Sequence, residues 1–89
     1  MLKREITAGT GEKRDARITV APNAGGWKIE LARLPHPRFR DAVTAVAEAV
    51  LREEQIQDAY IRVEDFGALD FVLEARLRAA LREAEKEAL

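Results

Sequence analysis

The chain has 89 residues, enough for one domain with a modest core, and its mix of 47% hydrophobic and 35% charged residues is that of a globular protein. Fifteen Lys and Arg against sixteen Asp and Glu leave a net charge of -1, without the basic excess that nucleic acid would require. There is no cysteine for disulfides, thiolate chemistry or Cys-ligated zinc, and no apolar run for a membrane span or a signal peptide.

Taken in chain order, residues 3 to 8 are a weak strand candidate. Residues 9 to 15 are expected to be a turn, because two glycines and four charges do not pack. Ala16, Ile18 and Val20 alternate with Arg17 and Thr19, the period of a half-buried strand over 16–22 that ends at Pro22. These two strands predict a hairpin with a wide loop. Asn23-Ala24-Gly25-Gly26 is a second turn. Trp27, Ile29 and Leu31 then alternate along a strand over 27–33, which Leu34-Pro35-His36-Pro37 stops. Pro37 suits the first position of a helix, where a missing N–H costs nothing.

Residues 38 to 54 carry an apolar stripe of Phe39, Val43, Val46, Ala47, Val50 and Leu51 at helical spacing. Gln55 to Asp58 break it. Ala59 to Val63 is a β-branched, alternating strand, and Glu64-Asp65-Phe66-Gly67 is a turn. Leu69, Leu73, Leu77, Leu81 and Ala84 mark a last helix over 69–87, with Glu74 and Arg78 spaced for an i,i+4 pair. The order is therefore β-β-β-α-β-α. The predicted class is α+β: a two-layer sandwich of about four mainly antiparallel strands with two helices on one face, as one domain over 1–89.

The chemistry-bearing residues are sparse. His36 is the one histidine, set between prolines, with no serine, cysteine or second histidine to make a catalytic unit or a metal site. It is read as an exposed loop residue. Glu64 and Asp65 are neighbours in a turn, and are read as solvated charges rather than an acid–base pair. Gly9-Thr10-Gly11-Glu12-Lys13 fails the phosphate-loop pattern, because Glu12 separates the glycine from the lysine and a strand follows. Trp27 and Tyr60 are read as core or sheet-face aromatics. No catalytic residue and no metal ligand is expected, so the residues point to a binding, carrier or structural module. The chain also contains no serine at all. With a last helix built of strong helix formers, that absence fits a redesigned or engineered scaffold as one alternative. A non-catalytic interaction module is another.

Three blocks carry a resemblance. Val63-Glu64-Asp65-Phe66-Gly67-Ala68-Leu69-Asp70 with Val72-Leu73-Glu74-Ala75-Arg76-Leu77 is similar to the C-terminal signature of citrate lyase acyl carrier (gamma) subunits. Phe39-Arg40-Asp41-Ala42-Val43 resembles their first-helix start. Ala8-Gly9-Thr10 with Ile18-Thr19-Val20-Ala21-Pro22 resembles their first hairpin. The carrier subunit of malonate decarboxylase is a near relative.

The resemblance implies a cytoplasmic, non-enzymatic subunit that presents an acyl thioester to lyase and transferase partner subunits. In that family the thioester sits on a phosphoribosyl-dephospho-coenzyme A arm, a phosphopantetheine-like group joined to a serine of the first hairpin loop. Counting as the family does, the attachment position here is Lys13. An ammonium forms no phosphodiester, and Thr10 is the nearest hydroxyl. No arm is therefore expected on this chain as written.

Overall fold

The structure, a computed structural model, describes residues 1–86. Its elements are β1 (Ile6–Gly9), β2 (Ala16–Ala21), β3 (Trp27–Arg33), a 3-10 turn (Pro37–Phe39), α1 (Arg40–Glu53), β4 (Ala59–Asp65) and α2 (Asp70–Glu85). The β-β-β-α-β-α order and the α+β class agree with the sequence reading.

The strands form one sheet in the order β1-β2-β4-β3. β1 pairs antiparallel with β2, and β2 antiparallel with β4, whereas β3 runs parallel to β4. Consecutive strands β2 and β3 are thus not neighbours. β4 enters between them after the α1 crossover, which is the connection a parallel pair requires.

The registers align the alternating residues into one apolar layer. Ile18 lies opposite Val63 and Val20 opposite Ile61. Ile29 lies opposite Ile61 and Leu31 opposite Val63. Ile18, Val20, Ile61 and Val63 are all buried. Both helices cover this face. α2 packs on β1 and β2, and α1 packs on β3 and against α2. Their buried stripes are Val43, Ala47, Val50 and Leu51 on α1, and Leu73, Leu77, Ala80, Leu81 and Ala84 on α2. Trp27 closes one end of the layer, its indole N–H donating to the Ile56 carbonyl at 2.8 Å.

The opposite face is open and polar. The Thr7 and Thr19 hydroxyls bond across the strands at 2.9 Å, and the Tyr60 hydroxyl donates to Glu30 at 2.7 Å. Its proton is held by that carboxylate, so the Tyr60 pKa is raised.

Several expectations are corrected. Glu64 and Asp65 are not solvated turn charges: β4 continues through them, and both are buried. Glu64 accepts from Arg17 at 2.5 Å and from Arg62 at 2.6 Å, and these cations, Arg17 first, hold its carboxyl below the usual range. The first strand begins at Ile6 rather than residue 3, while Leu2 is buried and the Lys3 N–H donates to the Ala84 carbonyl.

α2 starts at Asp70, so Leu69 lies before it and is 64% exposed. The helix ends at Glu85, with Lys86 already extended, short of the expected 69–87 span, whose last residue lies outside the described residues. Phe39 belongs to the 3-10 turn and is exposed rather than part of the core stripe. Arg78 does not pair along its own helix with Glu74. It reaches α1, bonding Glu53 at 2.7 Å and approaching Glu54 at 3.6 Å. His36 is exposed as expected, with Nδ1 accepting from the Arg38 N–H.

Candidate functional site

The β1–β2 loop, residues 10–15, stands at the end of the sheet beside the β4–α2 turn. Its base is built around one carboxylate. Asp15 accepts from the Thr10 N–H at 3.1 Å, the Thr10 hydroxyl at 2.6 Å and the Ala16 N–H at 2.7 Å. Arg76, reaching up from α2, closes a two-pronged ion pair with it, both contacts at 3.0 Å. Arg76 first and Thr10 second hold the Asp15 carboxyl far below the ordinary range. The expectation that this charged loop does not pack is therefore wrong at Asp15, which the fold uses as an anchor.

Gly9 makes the close approach possible. Its φ is +89°, and a Cβ there would lie 1.8 Å from the Ala16 carbonyl oxygen, so no other residue fits without moving backbone. Two main-chain bonds then tie the loop to the β4–α2 turn: Arg14 N–H to the Phe66 carbonyl at 2.8 Å, and Phe66 N–H to the Asp15 carbonyl at 3.0 Å. Arg14 adopts a φ of 69°, which is uncommon for a residue with a side chain. The turn itself is held by Asp65, whose Oδ1 accepts from the Gly67 and Ala68 N–H groups, both at 2.9 Å.

Lys13 and Thr10 are both placed in this loop, with different surroundings. The Thr10 hydroxyl is engaged on both sides, donating to Asp15 and accepting from the Glu12 N–H at 3.2 Å. Lys13 is exposed at the tip and lines a cleft of about 350 Å³ together with Gly11, Arg33, Phe66 and Gly67. Arg33 arrives there through a register shift after Leu31, which sets it opposite Glu64 on the open-face row. Its guanidinium stacks 4.8 Å from the Phe66 ring centre, and that of Arg17 lies at 5.9 Å.

A second, larger groove of about 810 Å³ adjoins the cleft, and Pro35, Asp65 and Gly67 line both. Its walls include Phe39, Leu69 and Phe71, exposed by 37, 64 and 66%. Asp70 and Glu74 stand on its α2 side. The described residues hold no group of three or more His, Asp or Glu placed to bind a metal.

Sequence reasoning reached Lys13 and Thr10 but singled out neither Asp15, Arg76 nor Arg33. A signal existed for Arg76, a cation adjoining the Leu73–Leu77 stripe. None existed for Arg33, because a register shift leaves no mark in an alternating strand.

The comparisons with known proteins agree with this architecture. Residues 3–84 match the model of the acyl carrier family described as malonate decarboxylase delta subunit (MdcD). The chain belongs to that family. Among its relatives is the citrate lyase acyl carrier protein of Halothermothrix orenii, 39% identical over 87 residues, which are 98% of this chain and 93% of that one. The citrate lyase acyl carrier protein of Haemophilus ducreyi is 39% identical over 88 residues, covering 99% and 92%. That of Cronobacter sakazakii is 36% identical over 87 residues, covering 97% and 90%. The resemblance read from the three sequence blocks is thus upheld over nearly the whole chain. Membership in this family makes the chain a carrier-type subunit and not an enzyme in its own right.

Proposed function

We propose that this chain is the carrier-type subunit of a citrate lyase-like or malonate decarboxylase-like complex, and that as written it bears no phosphodiester-linked arm. It would work in the cytoplasm beside lyase and transferase subunits. The observation that carries the reading is the hairpin loop. Its base is held as a rigid platform by Asp15 and Arg76, while its outermost residues project beside an apolar groove. A platform of this kind suits a subunit that offers one point of its surface to larger partners.

The residues present do not fit the arm. A phosphodiester needs an available hydroxyl, and Lys13 brings an ammonium to the expected position. The Thr10 hydroxyl is at the base of the loop, committed to Asp15 at 2.6 Å. Releasing it would also loosen the carboxylate that anchors the loop to α2. No acyl chemistry is therefore assigned to a group on this chain.

Native mass spectrometry of the chain isolated from its own host tests the reading. We expect an assembly with larger subunits of the lyase or decarboxylase type. Recovery of this chain solely as a free species of its own 10.0 kDa would overturn it.

A further inference from the structure

The cleft at the loop tip is lined by two cations, Lys13 on the loop and Arg33, which stacks on Phe66. Six arginines meet carboxylates: Arg4 with Glu83, Arg17 and Arg62 with Glu64, Arg76 with Asp15, Arg78 with Glu53, and Arg82 with Glu54, whereas Arg14, Arg38, Arg40 and Arg52 form no such pair among the described residues and do not line this cleft. Lys13 and Arg33 pair with no carboxylate among the described residues, yet both line the same concavity of about 350 Å³. Its size is within the range of small-ligand sites. Glu12, on the same loop, does not line it. Arg33 is aimed by the strand irregularity and by stacking on Phe66, so its planar donor fork is held in place before any ligand arrives.

Charge narrows the ligand. Asp65 is the one acidic residue lining the cleft, and its Oδ1 is occupied by two backbone N–H groups. Lys13 and Arg33 against Asp65 leave an excess of one positive charge. The net positive charge calls for an anion, and a planar fork beside a point charge supplies donors for three oxygens, which a phosphate monoester has and a carboxylate lacks. The adjoining groove adds a second demand. It is walled by Phe39, Leu69 and Phe71, with Asp70 and Glu74 along one side. It therefore suits an apolar, uncharged portion of the ligand and disfavours an anionic one.

We propose that the cleft binds, without a covalent bond, the phosphate of a small phosphorylated molecule whose apolar portion lies in the adjoining groove. The inference does not rest on the carrier reading, since it uses neither a partner subunit nor an attached arm.

The test is an amide NMR titration of the full chain with hexyl phosphate, inorganic phosphate and hexanoate. Saturable shifts at Gly11, Lys13 and Gly67 are expected with both phosphates. Hexyl phosphate should bind roughly tenfold or more tightly than inorganic phosphate, with shifts extending to Phe71. Lys13→Gln and Arg33→Gln should each weaken hexyl phosphate roughly tenfold, the loss of one charged contact. Lys28→Gln, on the far part of the sheet, should change nothing. Absence of saturation, equal weakening by Lys28→Gln, or hexanoate binding as tightly as hexyl phosphate would overturn the proposal. So would a phosphoserine peptide that binds more tightly than hexyl phosphate, because the ligand would then be a protein segment.

Discussion

The base and the tip of the β1–β2 loop lie two residues apart and are built on opposite principles. At the base, Asp15 accepts from Thr10, Ala16 and Arg76, and Gly9 lets the strands close in to complete the cage. At the tip, Lys13 is exposed and has no carboxylate partner among the described residues. The base decides the shape of the loop and the tip only occupies it. Scaffold and surface chemistry are thereby separable. A change at position 13 is therefore expected to alter what the loop tip presents without cost to the sheet or the helices.

Substitutions sharpen that contrast by where they fall. The largest effect is expected under the base. Leu77 on α2 is 1% exposed, one residue from Arg76, and Leu77→Ala should cost about 2–5 kcal/mol in denaturant unfolding. A loss below about 1 kcal/mol would mean that α2 is not packed on the sheet as described. Gly9→Ala comes next. The backbone strain alone is worth about 1–3 kcal/mol, and the 1.8 Å approach to the Ala16 carbonyl forces the hairpin to open. A Gly9→Ala protein with unchanged melting temperature and unchanged loop amide shifts would contradict the close approach.

Breaking the anchor itself should be milder and pH-dependent. The Asp15 carboxyl is held well below its unfolded value, chiefly by Arg76. A lowered native pKa stabilises the folded state above the ordinary carboxylate range, about pH 4. The contribution is lost as pH falls through that range toward the native value. Glu64, lowered by Arg17, acts in the same direction. Asp15→Asn should therefore melt earlier than the parent at pH 7, and the difference should shrink as pH is taken from 5 to 3. A gap that widens in acid would reverse the assignment. The smallest effect belongs to the tip, where Lys13→Ser should stay within about 0.5 kcal/mol of the parent. A loss comparable with that of Gly9→Ala would show that the tip is part of the scaffold after all.

The sequence discloses the elements better than their partners. Period-two alternation marks β2 and β3, and the leucine stripe marks α2, because those patterns follow directly from which side of an element is covered. The carboxylates of Glu64 and Asp65 were misread for a different reason. Buried charge is unfavourable without partners: Glu64 meets Arg17, which lies 47 positions away across the sheet, while Asp65 is capped by the N–H groups of Gly67 and Ala68, which only the turn after β4 brings to it. The Asp15–Arg76 pair spans 61 positions, and no local pattern announces it. Arg78 illustrates the same limit, since helical spacing offers Glu74 but packing of α1 against α2 brings Glu53 closer. Leu69 and Phe39 fit their helical stripes by spacing alone. Both lie just outside α-helix, where the stripe no longer faces the sheet. At the candidate site, the placement of Lys13 and Thr10 in a loop between the first two strands was legible in the sequence. Arg33 was not, because its position depends on a register shift that only the assembled sheet creates.

On the function proposed above, the base of the loop is that of an intact carrier scaffold, while its tip, with Lys13 at the expected attachment position, holds no arm. The intact mass of the denatured chain, purified from its own host, tests it most directly. An armless chain should show the mass of unmodified polypeptide alone. A chain heavier by a phosphodiester-linked group, on Thr10 or any other residue, would contradict it.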